Sequence, residues 1–239
     1  MKEGSNENRR HWCNGARWWL SDSFAGVIAD LNADVVVDMI CFTADSARHL
    51  VESLRGRVDQ LIVCSTIVRP GHISGPGWAI INPQGTSDLA VWELLASGET
   101  LTLPNFGLET LHLVHASDVA HLFHLTIERE VAPAFDVFNA VSPQATTLRG
   151  LAEEIATRFG QKAVLEFVPF HFFQEQLSPE NAQSSFEHFS RSQSMSIDRA
   201  RNALGYRPQY SSVEAVSEAI SWLCASGKLS AKAAARWAG

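Results

Sequence analysis

Three short blocks hold the residues that could do chemistry. Leu61 to Trp78 reads LIVCSTIVRPGHISGPGW, an apolar run ending in Ser65-Thr66 and followed by Arg69-Pro70-Gly71-His72. Parallel α/β sheets expose reactive groups at the carboxyl ends of their strands, so a hydroxyl pair there could meet a substrate. Taken alone, Ser-Thr after a strand also reads as the opening of a turn. His72 is the nearest titratable group along the chain, and an imidazole with an ordinary pKa near 6.5 suits general-base work at neutral pH. The competing reading has His72 lining the entrance to a binding lobe.

The second block, HLVHASDVAHLFH, carries His112, His115, His121 and His124. His121 and His124 stand three apart on a predicted helix and could share a face. No acidic or cysteine cluster completes a coordination shell, so no metal site is expected. Asp118 is read as a helix N-cap or first-turn acid. The third block, LGYRPQYSSVEAV, holds Tyr206 and Tyr210, the chain's two tyrosines. A phenol with a pKa near 10 is a poor base at neutral pH unless an ammonium lowers it. Four residues on from these tyrosines stand Tyr210 and Glu214, not lysine.

These residues must be positioned by a helix–strand alternation. Ser21 or Asp22 could cap a helix running to about Leu31, with Phe24, Val27, Ile28 and Leu31 on one face. Val35 to Ile40 is a β-branched run suited to a strand buried on both sides. Thr43 to Leu54 reads as a helix and Leu61 to Cys64 as the next strand, the order of a parallel α/β sheet. Trp78 to Asn105 is rich in Pro, Gly and Asn, with a short helix around Ser87 to Ser97, and GHISGPGW reads as a sharp turn. Farther on, helices are predicted over His115 to Glu130, Thr147 to Phe159, Ser196 to Leu204 and Val213 to Leu223. Strands are predicted over Phe135 to Val141 and Val164 to Val168.

Composition narrows the function classes. The chain of 239 residues is 46% hydrophobic and 19% charged, as in an ordinary folded protein. Its net charge of −7 argues against a nucleic-acid partner, which needs concentrated positive charge. Cys13, Cys41, Cys64 and Cys224 stand far apart, so no disulfide framework is implied and a reducing compartment, the cytoplasm, is expected. The polar N-terminus reads as neither signal peptide nor anchor, and no stretch has the length of a membrane span.

The LIVCST and PGHISGPGW motifs, with HLVHASDVAHL, Asn82-Pro83, LPNFGLET (Leu103 to Thr110) and the closing LGYRP, resemble the extended short-chain dehydrogenase/reductase family of NAD-dependent epimerases and dehydratases. The likeness runs from about Asp22 to Leu223. It implies a nucleotide sugar or similar polyol as substrate and NAD or NADP as cofactor. Thr66 matches the family's hydroxyl on the substrate oxygen, Ile40, Cys41, Ser65, Pro70 and Gly71 would line the cofactor, and His72, Asn82 and Asn105 would face the substrate. The chain departs from the pattern in two places. Gly4, Gly15 and Gly26 do not form the dinucleotide fingerprint, and LIVCST runs directly into the PGHISGPG block where the family carries its Tyr-x-x-x-Lys helix.

The expected architecture is α/β, a truncated Rossmann-like parallel sheet with a small mixed α/β substrate lobe. Residues 1–21 would be irregular, 22–77 a partial core, and 78–239 the lobe and C-terminal region, with 111–141 returning to the sheet. Impaired catalysis and weak or lost dinucleotide binding follow. An inactive binding or dimerisation module, a homodimer among the assemblies, and a fragment of a longer epimerase stay open as alternatives.

Overall fold

The computed structural model describes residues 34–38, 44–63, 68–128 and 136–237. The predicted helix ending near Leu31, and the candidate residues Ile40, Cys41, Ser65 and Thr66, lie outside them. The chain divides into two compact units, residues 1–65 and 66–239.

In the first unit, β1 (Val35–Asp38) and β2 (Gln60–Val63) pair in parallel, Val35 opposite Gln60, with α1 (Ala44–Leu54) between them in sequence. Parallel neighbours require a crossover, and an amphipathic helix supplies it. Leu50 and Leu54, four apart on α1, are buried, as is Ile62 of β2.

The second unit opens with β3 (Val68–Pro70) and β4 (His72–Ser74). Next come α2 (Ala90–Ser97), β5 (Thr100–Pro104), β6 (Thr110–Leu111) and β7 (Leu113–His115). They are followed by α3 (Ala116–Ile127), β8 (Phe138–Ala140), β9 (Thr146–Thr147), α4 (Leu148–Arg158) and β10 (Val164–Val168). The chain closes with α5 (Phe170–Glu175), α6 (Pro179–Phe189), α7 (Asp198–Leu204), α8 (Ser212–Ala225) and α9 (Ala231–Trp237).

Pairing is parallel for β3 with β8, β4 with β7, and β5 with β10, and antiparallel only for the short β6 with β9. This is the α/β fold expected. His72 to Ser74, read from sequence as part of a turn, instead forms the strand β4. The turn begins beyond it, where the Trp78 amide donates to the Gly75 carbonyl. Leu101 and Leu103 alternate inward on β5 and meet Trp92, Leu95, Leu151, Ile155 and Phe159 in one core, all fully buried.

Gly71 stands where the chain changes neighbours. Its amide donates to the Ala140 carbonyl beside β8, and the next amide, of His72, donates to the His112 carbonyl beside β7. A Cβ at Gly71 would overlap the His112 carbonyl oxygen, so only glycine lets the two strands come this close.

Candidate functional site

His72 begins β4, and its position follows from that change of neighbours at Gly71. Its Nδ1 is buried without a hydrogen-bond partner, and its ring meets His188 of α6 edge-on, with centroids 5.2 Å apart. Burial, reinforced by the neighbouring His188, lowers its pKa to about 4, against an opposing pull from the His112 backbone. At neutral pH the ring is therefore uncharged.

The residues around His72 are themselves fixed. His188 Nδ1 lies 2.8 Å from the Gly85 carbonyl and 3.2 Å from Ser184 Oγ. A carbonyl can only accept, so Nδ1 carries the hydrogen and Nε2 is the acceptor nitrogen. His112 receives the Met195 amide on Nδ1 (3.0 Å) and so donates from Nε2 to the Ser142 carbonyl (2.9 Å). That locks it in one neutral tautomer, and burial holds its pKa below the usual value.

Asn82 is fully buried and spends every polar atom on its own turn. Its Nδ2 donates to Thr86 Oγ1 and the Asp88 carbonyl, while Oδ1 accepts from the Gln84 and Thr86 amides. Asn82 thereby shapes the turn whose Gly85 carbonyl holds His188, so it supports the His72 face from behind. Asn105 is exposed, with φ of 49°. Its amide donates to Val168, its Oδ1 accepts from the Phe170 amide and its Nδ2 donates to Glu109. These contacts tie Asn105 to the β10–α5 junction. Pro70 closes β3 opposite Ala140. Nothing in the sequence marked His188, which reaches His72 only because α6 folds back over the 82–88 turn.

The second and third blocks meet each other. His115, not Asp118, caps α3, its Nδ1 accepting from the Ser117 amide. Asp118 sits in the first turn, 2% exposed, and accepts from the amides of Gln209 (2.9 Å) and Tyr210 (3.1 Å). The phenol of Tyr206 is pushed up by burial and by Asp118, and that of Tyr210 by the Glu218 carboxylate. Both shifts run opposite to what a catalytic base needs. Among the described residues no three histidine, cysteine or acidic side chains converge as a metal site.

A dinucleotide's pyrophosphate needs glycine backbone opening a helix. Gly71 is filled by the His112 carbonyl, Gly75 faces His115, and the next helix begins only at Ala90. Gly71 and Gly75 do not fit that group.

No family model matches the chain. A chloroplast stem-loop binding protein of 41 kDa (form b) from Arabidopsis thaliana is 26% identical over 157 residues, 64% of this chain and 38% of that relative. The chain thus spans under half of the curated relative's length. Among solved structures, the epimerase Mth375 of Methanothermobacter thermautotrophicus superposes with a TM-score of 0.62 at 14% identity, over 88% of this chain and 77% of the other. The UDP-glucuronic acid 4-epimerase of Bacillus cereus, in complex with NAD, gives 0.59 at 13% identity, over 87% and 79%. The NAD complex of dTDP-glucose 4,6-dehydratase from Bacillus anthracis gives 0.53 at 14%, over 86% and 68%. The chain has the Rossmann-like fold of these epimerases and dehydratases.

Proposed function

We propose that this chain is an extended short-chain dehydrogenase/reductase of the NAD-dependent epimerase/dehydratase group. It would take a nucleotide sugar or similar polyol at the His72–His188 face without the family's tyrosine-driven redox step. One observation carries the loss of chemistry. Both tyrosines sit in the Gly205 to Ser211 segment with phenols pushed up and no lysine four residues on.

His72 replaces neither tyrosine nor lysine. With a pKa near 4 it is a weak base at neutral pH, because proton-transfer efficiency falls as the pKa drops far below the working pH. As a neutral ring it suits hydrogen bonding to sugar hydroxyls, and His188 Nε2 offers a second acceptor beside it. The first face of that site, the Thr66 hydroxyl, comes from the resemblance. A bound dinucleotide would supply hydride transfer, but the described glycines do not cradle one, and NAD or NADP affinity is weak in this reading.

The test is purified protein with UDP-glucose, UDP-glucuronate and added NAD, followed by sugar analysis and calorimetry. Saturable sugar-nucleotide binding with no turnover above a buffer blank supports the proposal. Turnover abolished by Thr66→Ala or His72→Ala overturns the inactive reading, and absence of any binding overturns the ligand assignment.

The Arabidopsis relative's name favours a second reading, binding of a stem-loop. The net charge of −7 opposes it, since phosphate neutralisation dominates such affinities. A gel shift with an RNA hairpin at about 150 mM salt separates the two readings.

A further inference from the structure

Residues 190–197, SRSQSMSI, run from the end of α6 to the start of α7 as a strap without regular structure. No backbone hydrogen bond joins the strap to a described strand. Three side chains pin it instead. Thr110 Oγ1 of β6 donates to the Gln193 carbonyl (3.0 Å), and Asn139 Nδ2 of β8 donates to the Ser196 carbonyl (2.9 Å). Between them, His112 Nδ1 accepts from the Met195 amide (3.0 Å).

The first two pins do not titrate, whereas the third exists in one protonation state alone. We propose that His112 is a pH-sensitive latch whose protonation releases the 190–197 strap while the rest of the second unit stays folded. The proposal does not depend on the nucleotide-sugar reading.

A charged imidazole carries hydrogen on both nitrogens. Its Nε2 keeps the bond to the Ser142 carbonyl, so the whole effect of the added proton falls on the strap. There the new Nδ1–H would face the Met195 N–H, two donors with no acceptor between them. His112 is 1% exposed, so with the strap shut water reaches neither donor. Lifting the strap hydrates both donors and the charge together. The closed form therefore refuses a proton that the open form accepts, and opening is favoured as pH falls below the ordinary 6.5.

The surroundings offer no counter-charge that would keep the latch shut. Burial lowers the pKa of His112 against the pull of the Ser142 carbonyl, and no carboxylate contributes. The strap itself faces it with Ser192 to Ser196, the segment after β8 with Val141 to Thr146, and β6 with Thr110 and Leu111, all uncharged. From β4 the titratable neighbour is His72, which feels His112 and, from α6, His188; a second imidazole can only add repulsion. The nearest acids along the chain are engaged elsewhere, Glu109 with Asn105 and Asp198 with Arg201.

Both ends of the strap are anchored, which confines the release. At one end α6 is tied to the 82–88 turn by Ser184, Ser185 and His188 and buries Phe189 in the core. At the other, Ile197 is buried at the start of α7. Ser192, with φ of 43°, marks the bend where the strap leaves the α6 end.

The test is hydrogen exchange of the full chain from pH 7.5 to pH 5.0, corrected for intrinsic exchange rates and read by mass spectrometry. Exchange in 190–197 should rise at least about threefold, while peptides of α4 and α8 hold. His112→Asn places a non-titrating acceptor near the Nδ1 position and should abolish the rise; His112→Ala should leave the strap fast at both pH values. Nitrogen-15 spectra of the wild type carry the same test without a variant: the His112 titration should coincide with the shift of the Met195 amide. Unchanged exchange in 190–197, an equal rise in His112→Asn, a rise shared by α4 and α8, or a Met195 amide indifferent to the His112 titration each overturns the proposal.

Discussion

The His72 imidazole shows how burial decides what a residue can do. From sequence it was the natural general base, with an ordinary pKa close to neutrality. In the fold it lies under α6 beside a second imidazole and is held at about 4. Between pH about 6.5 and about 4 the unfolded chain binds a proton here that the folded chain refuses, so stability is lost as pH falls through that window. Lowered His112 adds a contribution of the same sign. The wild type should lose up to about 3 kcal/mol from His72 between pH 7 and pH 4. Urea unfolding at the two pH values measures it, and His72→Gln, which cannot titrate, should show a smaller loss. Equal losses in both chains would mean that the ring is more hydrated than its contacts indicate.

At the level of elements, two junctions hold the second unit's site in place, and each makes a prediction. Gly71 has ordinary backbone angles but no room for a Cβ, whereas Gly160, ending α4 at φ of 68°, has open space but a left-handed backbone. Gly160→Ala should therefore cost only about 1 kcal/mol. Gly71→Ala must push β4 from β7 and should cost more than about 2 kcal/mol or prevent folding, as denaturant midpoints will show. The second junction is Asp118, which holds the segment leading into α8 by two amides. Asp118→Ala strands both donors in a buried place and should cost about 2–4 kcal/mol by the same measurement. Local signals made some elements legible: the β-branched run of β1 and the helices α4 and α8, whose Thr147 cap and Ser211/Glu214 capping box only the structure showed. Strand β5 was hidden in a segment rich in turn residues because its pairing with β10 is long-range, and α5, α6 and α9 were missed. Asp118 was legible as a first-turn acid but not as a clamp, since its partners lie about ninety residues away. His188 was missed for the same reason.

At the scale of the whole molecule, Gly71 and Gly75, the described glycines that follow the LIVCST run, lie at a strand crossover and a turn and not at the mouth of a helix, and that arrangement governs cofactor affinity. Dinucleotide binding draws much of its strength from charge-assisted hydrogen bonds between pyrophosphate oxygens and amides at a helix N-terminus. In the described residues, Gly71 is packed against the His112 carbonyl, Gly75 against His115, and the chain runs on through Asn82's turn before α2 begins. The carboxylate surplus, 26 acidic against 19 basic residues, adds a general repulsion toward a polyanion. Titration with NAD, NADH, NADP and NADPH, followed by calorimetry, should therefore give dissociation constants weaker than about 100 μM. A low-micromolar constant for any of them would demand a phosphate cradle outside the described residues. It would also return the chain, which lacks the Tyr-x-x-x-Lys pair, to the list of candidate oxidoreductases, with His72 and Thr66 as the first substitutions to try.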